Sequence, residues 1–355
     1  MANLAHKVLS TLTLTLLLAA CSQQPAHYES PVAVTPPHNT PPIRFPGEQP
    51  ITPRTDSYER VPSSHYDALM LTGSFANSPA LRRFIQKMVR QYGFSEAYLN
   101  GLFSSAKRLD GVIRLESPAP STGPSKPHLG SWTRYRNKFL TDAHISNGVE
   151  FWRNNAESIA QASRTYGVDA EYIVGIIGVE TYFGKNFGKT CIFDALTTLS
   201  FATVRRSSYF MSELEHFLLM TRDEAFDPRQ PQGSWAGAMG YGQFMPSSFR
   251  RLAVDFNKDG RRDLWQPTDA VGSVAHYFSR SGWQLHRPVA QPDRPANDPA
   301  VIELSTYQGS EYWRVYPNFK VIKKYNNSNK YAMAVHQLAQ AIKQRYQREA
   351  GLGNR

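Results

Sequence analysis

Asp169-Ala-Glu-Tyr-Ile173-Val-Gly-Ile176-Ile177-Gly-Val-Glu180-Thr-Tyr182-Phe-Gly184 sets a glutamate on the apolar side of a helix. Ile173, Ile176, Ile177 and Glu180 fall at i, i+3, i+4 and i+7, one stripe of an α-helix. Asp169 is a natural N-cap and Gly184 a natural stop, which puts Glu180 in the last turn. A carboxyl there loses hydration, so its charged form is disfavoured and its pKa rises. The negative end of the helix dipole pushes the same way. A carboxyl protonated near neutral pH is what a general acid must be. The same spacing also suits a glutamate that snorkels from the helix end to a basic partner, so other residues must decide.

The 355 residues suffice for one large domain or two ordinary ones, and 41% hydrophobic with 12% aromatic content supports a real core. The net charge of +11 favours an anionic partner: nucleic acid, a membrane surface or an acidic polymer. Without an RNA-binding signature, zinc-finger spacing or a dense Lys/Arg block, nucleic acid is the weakest of the three and is not expected as a partner. Cys21 and Cys191 have no metal-ligand partners nearby in sequence.

Residues 1–20 read as a signal peptide, with Lys7 at the positive start and Val8 to Ala20 as the apolar stretch. That stretch is shorter than the ~20 apolar residues of a membrane-spanning helix. Leu18-Ala-Ala-Cys21 resembles a bacterial lipobox, in which Cys21 becomes the lipidated first residue. Ser22 resembles the outer-membrane sorting choice, so the expected location is the periplasmic face of the outer membrane, anchored in its inner leaflet. Acylation of Cys21 would leave Cys191 unpaired. Residues 21–64, rich in Pro, Ser, Thr and Gln, read as a disordered tether.

Beyond the tether the chain is mainly helical. Residues 65–130 read as a helical N-terminal subdomain, marked by Leu81, Phe84, Ile85 and Met88 and then by Leu99, Leu102, Phe103 and Ala106 after Ser95. The prolines of Ser117 to Gly130 make that stretch a loop. A core follows over 131–350, with helical patterns at Asn147 to Tyr166, Ser212 to Thr221, Val271 to Ser279 and Tyr331 to Arg345. A small β segment lies within 284–322: Val301 to Thr306 and Tyr312 to Val315 flank a turn at Gly309.

Three further constellations carry chemistry. Gly233-Ser234-Trp-Ala-Gly237-Ala-Met-Gly240-Tyr241-Gly242-Gln243 is too glycine-rich for a helix interior. It reads either as backbone that approaches a sugar, with Ser234 and Gln243 as neutral hydrogen-bonding groups, or as a tight structural turn. Asp255-Phe-Asn257-Lys-Asp259-Gly260-Arg261-Arg-Asp263 matches the opening of an EF-hand calcium loop. The closing glutamate is replaced by Gln266, and Asp269 closes a longer loop over 255–269; a metal-free Asx turn is the other reading. Arg205 and Arg206 have the fork geometry for substrate carboxylates, or are plain surface charge. Tyr135, Tyr277, Tyr325 and Tyr331 are each either packing residues or sugar platforms.

Long ordered strings add a family. Gly178-Val-Glu180-Thr, Leu199-Ser-Phe201 before Arg205-Arg206, Phe217-Leu-Leu, Gly237 to Ser248, Asp255 to Asp269, Tyr325-Asn326 and Tyr331 to Val335 resemble the membrane-bound lytic murein transglycosylase B family. The resemblance runs from about residue 66 to residue 345. It implies a lysozyme-like core with Glu180 as the catalytic acid/base. Ser234, Gln243, Asn326, Tyr135, Tyr277, Tyr325 and Tyr331 would line the glycan cleft, and Arg205 and Arg206 would face acidic peptide stems. It also implies structural calcium on Asp255, Asn257, Asp259, Arg261 and Asp269, and no catalytic cofactor. The stretch from Trp283 to Tyr325 reads as shorter than in better-known members, so a reduced accessory β region is expected.

The implied reaction cleaves the β-1,4 bond between N-acetylmuramic acid and N-acetylglucosamine and leaves a 1,6-anhydro ring. Ordinary glycosidases flank the scissile bond with two carboxylates. Near Glu180, Asp194, Asp223 and Glu224 are candidates without a convincing setting, and a lytic transglycosylase needs only one. A hydrolytic muramidase on the same fold and a non-catalytic murein-binding lipoprotein are the rival readings.

Overall fold

In the computed structural model, residues 65–117 and 129–352 are described. The expected signal peptide, the tether, Cys21 and most of the Ser117–Gly130 loop lie outside them. The helices in chain order are α1 (Pro79–Tyr92), α2 (Glu96–Ser104), α3 (Asp110–Glu116), α4 (Ser131–Arg136), α5 (Asp142–Asn154), α6 (Ala156–Tyr166) and α7 (Ala170–Thr181). They continue as α8 (Ile192–Phe201), α9 (Ser207–Asp223), α10 (Pro246–Leu252), α11 (Pro267–Arg280), α12 (Pro317–Tyr325) and α13 (Asn329–Leu352). Strands β1 (Thr190–Cys191) and β2 (Gln232–Gly233) pair antiparallel. Strands β3 (Ala290–Asp293), β4 (Val301–Thr306) and β5 (Gly309–Val315) form a three-stranded antiparallel sheet in the order β3-β5-β4. The mainly helical expectation holds, with its small β segment; periodicity did not reveal β3, which Pro292 interrupts, nor the two-residue strands β1 and β2.

The N-terminal helices form where their apolar spacing says. Ser78 caps α1 by accepting from the Leu81 amide, and Leu81, Phe84, Ile85 and Met88 are buried. Ser95 caps α2 in the same way. Their aromatic residues meet α8: Phe84 and Phe103 pack against Phe201 at 5.8 and 6.4 Å, and Phe103 against Phe193 at 5.1 Å. The pattern read over Asn147 to Tyr166 is two helices, α5 and α6, broken at Asn155.

At the centre lies α7. Its residues are buried all round from Glu171 to Val179, not along one stripe. An interior helix surrounded by others needs no polar face, and each buried Ile or Val side chain contributes about 1.5–3 kcal/mol. Against it packs α13, whose Val335, Leu338, Ala339 and Ile342 are fully buried at i, i+3, i+4 and i+7. Lys343 Nζ donates to Glu171 Oε1 at 2.7 Å, an ion pair at the rim of this contact. All described residues belong to one compact unit, Glu59–Arg355. No helix among the described residues is long and apolar enough to cross a membrane.

Both ends of α7 differ from expectation. Asp169 occupies the N-cap position without a side-chain cap bond, because its carboxylate accepts instead from Trp283 Nε1 at 2.9 Å and from the His286 amide. The stop is not Gly184. The helix ends at Thr181, and Tyr182 and Phe183 already take left-handed φ values of 53° and 58°. That turn folds the Phe183 ring back onto Gly178, where a Cβ would lie 2.6 Å from the ring. Tertiary packing of Phe183 therefore outweighs the steric cost of two successive non-glycine residues at positive φ.

Candidate active site

Glu180 sits in the last turn of α7, as its spacing predicts, with partial access to solvent. Tyr331, near the start of α13, donates its hydroxyl to Glu180 Oε1 at 2.5 Å. Burial pushes the carboxyl up to about 7, against the opposing pull of the Tyr331 hydrogen bond. Tyr135, Tyr325 and Tyr331 all lie close enough to feel the Glu180 charge. Burial holds all three phenols well above their ordinary value, so they stay protonated and able to donate.

The glycine-rich segment is fixed beside this helix end. Thr181 Oγ1 donates at the end of α7, with Ile177 O and Tyr241 O each 3.1 Å away, and accepts from the Gly184 amide. Tyr325 donates its hydroxyl to Gly242 O at 2.5 Å, a close approach that the bare glycine permits: a Cβ at Gly242 would lie 2.8 Å from that oxygen. Tyr277 packs on Tyr325 with ring centroids 4.6 Å apart, and its hydroxyl donates to Lys324 O. Glu180, Tyr135, Tyr325, Tyr331, Tyr277 and the Gly242–Gln243 backbone are thus brought together from five stretches of sequence.

Ser234 and Gln243 also serve the turn itself. Ser234 Oγ accepts from the Ala236 and Ala238 amides at 3.3 and 3.0 Å, bonds that leave its own O–H proton unspent. Gln243, at φ 50°, donates Nε2 to Gly240 O and Phe187 O. These side chains shape the turn, and the Gly242 carbonyl of the same loop takes the Tyr325 hydroxyl. Asn326 follows Tyr325 directly and caps the end of α12; its Oδ1 is buried without a hydrogen-bond partner. A buried acceptor left unpaired costs about 1–3 kcal/mol, and such an atom is ready for a ligand N–H or O–H.

Arg206 is turned inward onto Glu116, whereas Arg205 is tied to the same carboxylate by its Nε alone and stays partly exposed. Glu116, buried at the end of α3, takes both Nε and Nη2 of Arg206 at 2.9 and 2.5 Å, and the Arg205 Nε at 3.3 Å. The Arg206 fork is spent on an internal carboxylate, and its guanidinium also lies over the Phe210 ring. The paired arginines here lock α3 to the α8–α9 turn. Sequence gave no sign of this, because Glu116 lies 90 residues from Arg206.

The loop over 255–269 has its turn chemistry in place, with Lys258 at φ 63° and Gly260 at 91°. Asp255 accepts from the Asp259 and Gly260 amides, and Asp259 from the Arg261 amide. Fully buried Asp269 accepts from the amides of Phe256, Asn257 and Asp263. Burial and the nearby Asp255 charge both raise the Asp269 carboxyl. Gln266 is no ring-closing group: its Oε1 caps α11 by accepting from the Asp269 amide at 2.8 Å. Among the described residues no three His, Cys, Asp or Glu side chains gather closely enough to hold a metal alone.

The possible second carboxylates are all engaged elsewhere. Asp194 pairs with Arg229, Glu224 with Arg262, and Asp223 with Arg222 and Arg250. Glu180 therefore has a hydroxyl, not a charge, as its partner. Residues 76–300 and 291–340 match the transglycosylase SLT domain family. The chain belongs to that family.

Comparison with known SLT-family proteins extends over nearly the whole chain. It is 42% identical over 372 residues to membrane-bound lytic murein transglycosylase B of Escherichia coli K12, covering 95% of this chain and 98% of that one. The structure of the Escherichia coli lytic transglycosylase Slt35 in complex with calcium is 44% identical with a TM-score of 0.72, covering 78% of this chain and 96% of the other. SltB3 of Pseudomonas aeruginosa, in complex with NAG-anhNAM-pentapeptide, is 26% identical with a TM-score of 0.65 over 74% of this chain and 78% of that one. The lysozyme-like fold expected from the motifs is the fold of these transglycosylases.

Proposed function

We propose that Glu180 is the single acid/base of a lytic transglycosylase that cleaves peptidoglycan. The protein is an enzyme of that class, as its family and its relatives' activity support. One observation carries the assignment to this residue: a carboxyl raised to about 7 at the end of a buried helix, held by the Tyr331 hydroxyl and by no charged partner.

Protonated Glu180 gives its proton to the glycosidic oxygen between N-acetylmuramic acid and N-acetylglucosamine as the C1–O bond breaks. The acetamido group beside C1 stabilises the developing positive charge. The Glu180 carboxylate then takes the proton of the muramyl C6 hydroxyl, whose oxygen closes on C1 to form the 1,6-anhydro ring. The substrate supplies the nucleophile, no water is consumed, and Glu180 ends protonated as it began. A group near pH 7 serves both steps, since neither form is strongly disfavoured. That the SltB3 structure is a complex with NAG-anhNAM-pentapeptide supports this chemistry.

The Asn326 acceptor, the Ser234 hydroxyl proton and the tyrosine rings supply what amide- and hydroxyl-bearing sugars require. The net charge of +11 suits murein, whose peptide stems carry carboxylates. Calcium fits the loop 255–269: Asp255, Asn257, Asp259, the Arg261 carbonyl and Asp269 are all hard oxygen donors, and the loop has the glycine its turn needs. The Slt35 structure in complex with calcium supports binding of the ion, and its role here is structural, holding the loop. Cys21 anchors the enzyme to the outer membrane through its acyl chains, in keeping with the membrane-bound relative.

Digestion in heavy-oxygen water separates this reading from hydrolysis. Transglycosylation leaves the products free of label, whereas a muramidase places one heavy oxygen at each new reducing end. Labelled products would overturn the proposal.

A further inference from the structure

The turn that ends α7 is strained, and one face of a neighbouring helix holds it. Tyr182 and Phe183, directly after Thr181, carry φ values of 53° and 58°. Non-glycine residues keep such angles only where their surroundings over-determine them. Here the surroundings are α5, which presents His144, Asn147 and Gly148 at i, i+3 and i+4 on one side. None of the three takes part in the proton transfers at Glu180.

Each holds a different part of the turn. His144 is buried, and its Nε2 lies 2.9 Å from Gly178 O. A carbonyl oxygen only accepts, so Nε2 carries the proton. Burial holds the imidazole below its ordinary pKa, against the pull of that bond, which keeps the ring mostly neutral at pH 7. Gly178 O also accepts from the Tyr182 amide at 3.1 Å, so the His144 proton reinforces the closure of the turn. The imidazole packs on Tyr182 and Phe183, with ring centroids 4.5 and 5.4 Å away. Asn147 donates Nδ2 to the Tyr182 hydroxyl and accepts from Lys185 Nζ at 2.6 Å. The Lys185 cation in turn stands 5.4 Å over the Tyr182 ring. Gly148 leaves room for Phe183, since a Cβ there would lie 2.9 Å from the ring.

These contacts bear on Glu180 from two directions. Glu180 lies between Gly178 and Tyr182, the two residues that His144 touches. Phe139 meets both His144, at 5.9 Å, and Tyr135, at 5.4 Å. Tyr135 is one of the tyrosines that feel the Glu180 charge. We propose, on the reading that Glu180 is the acid/base, that His144 is a positioning residue for the reaction, seconded by Asn147. Together they hold the left-handed turn and so fix the Glu180 carboxyl against the bond it protonates. A released turn would relax towards ordinary backbone angles, shift the carboxyl and admit water to it. A displacement of about 1 Å at a reacting group costs up to roughly a hundredfold in rate.

The test measures kcat and KM against pH on soluble glycan strands, with His144→Leu, His144→Gln, Asn147→Ala and Glu180→Gln in the full protein. Leucine removes the donor, whereas the glutamine amide offers its own N–H to Gly178 O. Gly178 O keeps the Tyr182 amide in both variants, so no buried carbonyl is orphaned. We expect His144→Leu to lower kcat roughly tenfold to a hundredfold with KM little changed, and His144→Gln to recover most of that loss. Water at Glu180 favours its charged form, so its pKa falls from about 7 and the alkaline limb of kcat moves to lower pH, opposite to the effect of losing the Tyr331 hydroxyl. The titratable groups that face Glu180 from α4, α12 and α13, namely Tyr135, Tyr325 and Tyr331, are unchanged in these variants. Asn147 is half-buried, so Asn147→Ala reads the same contact even if His144→Leu does not fold. A smaller loss with the same direction of shift is expected there. An unmoved alkaline limb, a wild-type kcat, or a His144→Gln as impaired as His144→Leu would overturn the proposal and leave His144 a packing residue. Glu180→Gln tells the two readings apart. An inactive Glu180→Gln beside an unmoved His144→Leu profile removes only the positioning role, and an active Glu180→Gln removes the acid/base reading itself.

Discussion

At the scale of single residues, Tyr331 and burial share control of Glu180. The Tyr331 hydroxyl bonds the carboxylate and lowers its pKa, while burial raises it further. Tyr331→Phe should therefore push Glu180 above about 7 and move the alkaline limb of the kcat profile to higher pH. A profile that stays in place or moves to lower pH would show that the hydroxyl does not bond the ionised form. The same shift has a stability sign. A carboxyl raised from 4.5 to about 7 favours the folded state fully below 4.5, and that contribution is lost as pH rises through about 7. Glu180→Gln escapes the loss, so its Tm advantage over wild type should grow across that window in thermal melts. Glu180 itself was legible in the sequence because a charge among isoleucines is conspicuous. Its partner was not: Tyr331 is 151 residues away, and a tyrosine preceding an apolar helix stripe looks like packing. The orphaned Asn326 oxygen is likewise a property of the folded arrangement.

At the scale of elements, most helices followed from spacing and caps, and those that did not share physical causes. Helix α8 is buried from Ile192 to Ser200, so no polar face punctuates its pattern. Helices α10 and α12 span only 7 and 9 residues, too short for a clear period. Pro246 and Pro317 at their first positions are the signal that could have found them. The end of α7 was misplaced because Phe183 packing, invisible in sequence, stops the helix before its glycine. In the loop 255–269 the sequence already set Gln266 apart from the proposed oxygen donors, and the structure gives it a separate role. Asp259 is one of the proposed calcium donors, and Gln266 caps α11. Calcium should raise the Tm of wild type, and Asp259→Ala should abolish that rise, since the bound ion stabilises only the folded loop. Gln266→Ala should cost about 1 kcal/mol through the lost cap, yet keep the calcium-induced rise. A Gln266→Ala protein that no longer responds to calcium would place that residue in the metal site after all.

For the molecule as a whole, the proposed anchor sets where the chemistry happens. On that reading the lipobox-like Leu18-Ala-Ala-Cys21 holds the chain at a membrane, and the proline-rich sequence after it lets the domain reach the wall. Wild-type protein should fractionate with outer membrane and stay there in high salt. Cys21→Ala should remain unprocessed or appear in the soluble periplasmic fraction; soluble wild type with an unmodified N-terminus would contradict the anchor. The architecture was legible as a class, helices around a central carboxylate-bearing helix with a small sheet late in the chain, since those patterns are local. The internal use of Arg205 and Arg206 was not, because it depends on a buried glutamate from a distant helix. The central claim is that one carboxyl does the work of both acid and base. It is tested most directly by digesting purified cell wall with wild type and Glu180→Gln and identifying the released muropeptides by mass spectrometry. General acid–base catalysis is worth roughly 10²–10⁴-fold, and with both roles on one side chain the loss should reach or exceed that range. Wild type should release fragments ending in 1,6-anhydromuramic acid, and the folded variant almost none while still binding the glycan. A folded Glu180→Gln protein that cleaves the wall at near wild-type rate would place the chemistry elsewhere.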